Sequence, residues 1–126
     1  MKRLFQASLL LMVFVAGSTP VLAHHGNASY ENKTVTIKGK VAQWLWTNPH
    51  SFLIVDVADE NGKVVRWICE NNAPSTLVNF GFTAKTFKAG DEVTVVLSAV
   101  AKNGTPAGRI NKTILADGYV MNSEVR

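Results

Sequence analysis

Three histidines, His24, His25 and His50, are the entire imidazole inventory of the chain. Two of them stand directly behind what reads as an export signal. Lys2 and Arg3 form a positive start, Leu4 to Ala16 is an apolar run, and Gly17 to Pro20 breaks it. Val21-Leu22-Ala23 then supplies the small residues of a cleavage site. The apolar run is shorter than the about 20 residues a membrane span needs. Cleavage after Ala23 is therefore expected, with residues 1–23 removed and 24–126 left as one domain. His24 then becomes an amino terminus, whose free amine and imidazole Nδ1 can close a chelate ring on one metal ion. An imidazole from His25 or His50 would complete a set of three nitrogens. Nitrogen ligands in tetragonal geometry suit Cu(II), which also heads the divalent affinity order.

Such a set is similar to the histidine brace of copper proteins. A His-His pair at a terminus is equally well a flexible polar end, and the residues alone leave both readings open. The second unusual stretch is Trp44-Leu45-Trp46-Thr47-Asn48-Pro49-His50-Ser51. Asn48-Pro49 marks a turn, because proline disfavours helix in the residue before it. Trp44 and Trp46 have the opposite parity to Val35, Ile37 and Val41. If those three face a core, the tryptophans face outward, unless a bulge intervenes. Outward tryptophans beside Asn48 would form a metal-free face for a ligand or protein partner, able to stack on sugar rings or apolar groups. Glu70 or Asn48 could orient a ligating imidazole from behind.

Signals for catalysis are thin. Ser51 beside His50 is no triad, since neighbours on a strand point to opposite faces. The carboxylates Glu31, Asp56, Asp59 and Glu70 show no diagnostic spacing, and there is no Gly-rich phosphate loop. A binding domain is expected rather than an enzyme, with no cofactor beyond a copper ion. A purely structural subunit of an envelope assembly is a further alternative.

The whole chain has 126 residues, 13 Lys+Arg and 9 Asp+Glu, for a net charge of +4. Removing the signal takes Lys2 and Arg3 with it and leaves 103 residues at +2. The remaining charges are interspersed, as on a solvated surface, so nucleic acid is not an expected partner. The expected location is the periplasm, with no membrane anchor after cleavage. The single cysteine, Cys69, excludes an internal disulfide and reads as a buried small hydrophobe.

The elements that must position these residues are mostly strands. Alternating, β-branched runs cover Thr34–Trp46, Phe52–Ala58, Val64–Glu70, Glu92–Val100 and Arg109–Ala116. Gly39 inside the first suggests a bulge or bend. Asn61-Gly62 joins the second and third as a hairpin. Between the third and fourth, Asn72 to Gly81 reads as one short helix, with Asn72 as cap, Pro74 in the first turn and Gly81 at the left-handed end. The order β-β-β-α-β-β predicts an all-β domain with one short helix, an OB-like five-stranded barrel. An open sandwich usually has about seven strands.

These residues resemble a family of small exported proteobacterial domains of unknown function. The likeness rests on His24-His25, Trp46-Thr47-Asn48-Pro49-His50, Asp59 to Gly62, Trp67 with Glu70, Leu77, Gly81 and Gly90-Asp91-Glu92-Val93. The Trp-Thr-Asn-Pro-His string is its specific part. Two positions depart from the pattern: Gly26 stands where members often carry Ser, and Phe82 where they often carry Trp. The resemblance implies a periplasmic setting and no particular activity.

Overall fold

The computed structural model describes residues 29–124. Residues 1–23, read from the sequence as an export signal, and both His24 and His25 lie outside the described residues. The elements run β1 (Tyr30–Glu31), β2 (Val35–Leu45), β3 (Ser51–Ala58), β4 (Val64–Asn71), α1 (Pro74–Leu77), β5 (Glu92–Ala101), β6 (Ala107–Leu115) and β7 (Val120–Asn122). Strands β2, β3, β4, β6 and β5 pair in that order, and β5 pairs back onto β2. The expected five-stranded barrel is therefore closed, with β1 and β7 as two extra short strands. The pairs are antiparallel except β4 with β6, which run parallel through Ile68–Ala107, Cys69–Gly108 and Glu70–Arg109. Closure satisfies the backbone groups that a flat sheet of this size would leave at two long edges.

Period-two alternation fills the interior. Ile37 and Val41 of β2, Leu53 and Val55 of β3, Cys69 of β4, Val93, Val95 and Leu97 of β5 and Ile110 of β6 form one buried cluster. Gly39 is required by a close approach rather than by a turn: a Cβ there would overlap the carbonyl oxygen of Asp56 on β3. The bulge in β2 lies two residues further on. Val41 pairs with Val55 but Gln43 with Ile54, so one extra residue is inserted between them. An inserted residue reverses the parity of the rest of the strand. Trp44 and Trp46 therefore come to the same side as Val41 and pack against the core. Of the two orientations the sequence left open, the bulge selects the one against the core.

The segment between β4 and β5 closes one end of the barrel. Its helix is shorter than the ten-residue stretch expected: one α turn at Pro74–Leu77, then a 3-10 turn at Val78–Phe80. Pro74 occupies the first turn and Gly81 the left-handed position, with φ 85°. Asn72 is not the cap. Ala73 takes that place without a side-chain bond, and the Asn72 amide instead donates to the Ser123 carbonyl at 2.6 Å. Leu77, Phe82 and Phe87 insert into the core. Among the described residues, no helix is long and apolar enough to cross a membrane.

This packing can be checked by two unfolding measurements. Gly39→Ala should destabilise the domain by about 1–3 kcal/mol, the usual cost of overpacking, read as a lower urea midpoint with an unchanged slope. Burial pushes the Cys69 thiol from 9.0 up to about 12. The folded state thus keeps a proton that the unfolded chain releases above 9.0. That contribution is complete below 9.0 and is lost as pH rises toward about 12. Stability measured by urea unfolding should accordingly fall with rising pH above about 9. Replacing Cys69 with Ala should flatten that slope.

Candidate functional site

The loop from Trp46 to His50 leaves β2 and delivers His50 to the start of β3. The Thr47 hydroxyl donates to the His50 carbonyl at 2.8 Å and braces the turn, whose Asn48–Pro49 peptide is cis. Asn48 itself is exposed at the loop tip. The hairpin register then decides what His50 meets. Phe52 lies opposite Glu70 and Ser51 opposite Asn71. Glu70 is thus one diagonal step from His50 on the same face, within reach of a long side chain.

The contact is made. His50 Nδ1 sits 2.7 Å from Glu70 Oε1. The second carboxylate oxygen accepts a bond from the Tyr30 hydroxyl at 3.0 Å. Arg109, the register partner of Glu70 on β6, places its guanidinium carbon 5.0 Å from the centre of the Tyr30 ring, a cation–π distance. Burial, the bond to Glu70 and the charge of Glu70 together push the Tyr30 phenol up to about 12, so it donates its proton throughout the physiological range. The Glu70 side chain is only 14% exposed, whereas His50 is 43% exposed. The carboxylate is buried behind the imidazole, and the imidazole faces out.

His50, Glu70 and Arg109 border an open cleft of about 200 Å³, whose wall also includes Asn71, Asn72 and Glu124. Glu124 is held by the Asn111 amide at 3.2 Å and the Ser98 hydroxyl at 3.4 Å. A histidine whose Nδ1 is bound to a carboxylate presents Nε2 to a ligand, the arrangement that commonly stands behind metal-binding imidazoles. Among the described residues, no three His, Cys, Asp or Glu side chains gather in a way that could hold a metal ion. His50 offers one nitrogen, with Glu70 behind it. His24 and His25 fall outside the described residues.

Trp44 and Trp46 lie apart from this constellation in role. Trp44 Nε1 donates to the Thr83 carbonyl at 2.9 Å, and its ring meets Phe87 edge-on at 5.2 Å and Trp46 at 5.6 Å. They fasten the segment after the helix to the barrel. Cys69, fully buried, is one residue from Glu70 but points to the opposite face.

Of the residues singled out in the sequence, His50 and Glu70 come together, while Asn48 stays outside. Sequence reasoning missed Tyr30 and Arg109. A tyrosine six residues after His24 carries no local signal, and Arg109 reaches the neighbourhood of Glu70 only through the parallel closing pair.

No curated protein matches the chain, and no solved structure matches it. A family model described as a family of unknown function, DUF6152, matches residues 12–110. That span holds β1 through the first part of β6, with His50, Glu70, Tyr30 and Arg109 all inside it, and the chain belongs to the family of unknown function DUF6152.

Proposed function

We propose that the mature protein is an exported, periplasmic binding domain that captures Cu(II). His24 supplies its terminal amine and imidazole, and His50 supplies Nε2. His25 is the alternative source of the third nitrogen. The observation that carries this reading is the Glu70 contact at 2.7 Å from His50 Nδ1, which leaves Nε2 of a 43% exposed imidazole as the outward nitrogen. Chain length supports it as well. Tyr30 is six positions after His24, and six extended residue steps span up to about 20 Å. Tyr30 and His50 share one carboxylate, so the amino terminus can reach the imidazole. Among the described residues, the sulfur-bearing Cys69 and Met121 are both buried. The hard-to-borderline nitrogen set therefore favours Cu(II) over Cu(I). The proposed role is capture of the ion rather than catalysis.

The test starts from protein whose first residue is His24, verified by intact mass. Cu(II) titration should produce an EPR spectrum with nitrogen hyperfine structure. His50→Ala should remove one nitrogen from that spectrum. Glu70→Gln should weaken binding about 10–100-fold. A single extra residue ahead of His24 should abolish the amine chelate. Affinity should fall on acidification, because amine and imidazoles bind only when deprotonated. A spectrum unchanged by both His50→Ala and the extra residue would overturn the reading.

A further inference from the structure

We infer that Tyr30 is the positioning residue that couples the pairing of strand β1 to the orientation of His50. This rests on the proposed copper site for its purpose, but not for its structural content.

Strand β1 has only two residues. It pairs through Tyr30–Ala101 and Glu31–Val100, and the Lys102 amide donates to the Ser29 carbonyl at 3.1 Å. So short an edge strand gains little from its ladder, and the Tyr30 side chain supplies much of what holds it. Its hydroxyl takes one oxygen of Glu70 at 3.0 Å. Its ring lies under the Arg109 guanidinium at 5.0 Å. The other Glu70 oxygen is the one that meets His50 Nδ1 at 2.7 Å.

One carboxylate therefore has two clients. With Tyr30 in place, Oε2 is occupied and Oε1 is aimed at His50. With β1 unpaired, Glu70 loses a charge-assisted bond and can turn away, and His50 loses the partner that selects its Nδ1–H tautomer. Pairing of β1 and presentation of Nε2 thus become one event.

The experiment uses the mature chain, metal-free and then with Cu(II) alone, in wild type, Tyr30→Phe and Tyr30→Ala. Metal-free protein gives two readouts: the His50 tautomer from nitrogen NMR, and hydrogen exchange at the Lys102 amide. Wild type should show Nδ1–H with a bare Nε2. Tyr30→Phe keeps the ring over which Arg109 sits and deletes only the hydroxyl. It should mix the tautomers and speed Lys102 exchange about tenfold, the equivalent of one charge-assisted hydrogen bond. Tyr30→Ala should exceed it in both. Copper affinity should fall about tenfold in Tyr30→Phe, with the nitrogen count in the EPR spectrum unchanged. An unaltered tautomer and unaltered Lys102 exchange in Tyr30→Phe would overturn the coupling. If wild type binds no copper while both metal-free effects appear, the coupling stands and the copper reading fails.

Discussion

Closure of the barrel through the parallel pairing of Ile68–Glu70 with Ala107–Arg109 is the constraint on which the rest of the molecule depends. Parallel neighbours cannot be joined by a tight turn. The chain must therefore leave β4, cap one end through α1 and the aromatic segment, and traverse β5 before β6 can return. That detour buries Leu77, Phe82 and Phe87. It also brings Arg109 beside Glu70, and so places a cation over the Tyr30 ring.

The glycine and the bulge of β2 serve the same closure. Gly39 lets β2 come so close to β3 that no side chain would fit against the Asp56 carbonyl. The extra residue after Val41 then rotates the end of the strand. The rotation has an energetic consequence, since two indoles move from solvent to the core side, where aromatic contacts and the Trp44 bond to Thr83 hold the cap. It has a geometric one too. The loop after Trp46 leaves at the angle that brings His50 over Glu70 rather than into open solvent.

The site is organised as a series of supports that ends at His50. Arg109 sits over Tyr30, Tyr30 holds one oxygen of Glu70, and Glu70 holds His50. Burial decreases along the last step, from a mostly covered carboxylate to a half-open ring. Such a gradient fixes the direction of an imidazole nitrogen without sealing it off, because the polar contacts lie where water is scarce and the free edge lies where a ligand can enter.

Much of the fold is legible in local pattern. Strand alternation, the Asn61-Gly62 hairpin and the Pro74-to-Gly81 helix are short-range effects, and they are enough to predict a five-stranded barrel with one short helix. The diagonal placement of Glu70 beside His50 is not local: it needs the register that pairs Phe52 with Glu70, and a two-residue Asn61-Gly62 turn would shift that register by one. The direction of Trp44 and Trp46 is not legible, because it depends on a single inserted residue whose position is set by how β2 packs on β3. Asn72 looks like a helix cap because Asn commonly is one; a bond to Ser123, fifty-one residues away, takes its amide instead. Tyr30 and Arg109 become part of the site only when the barrel closes. By itself the sequence determined the strands, the turns and the chemistry of each side chain, all of which depend on neighbours a few residues apart. Tertiary structure alone decided which of those side chains share a carboxylate, because that is a matter of register across pairs distant in the chain.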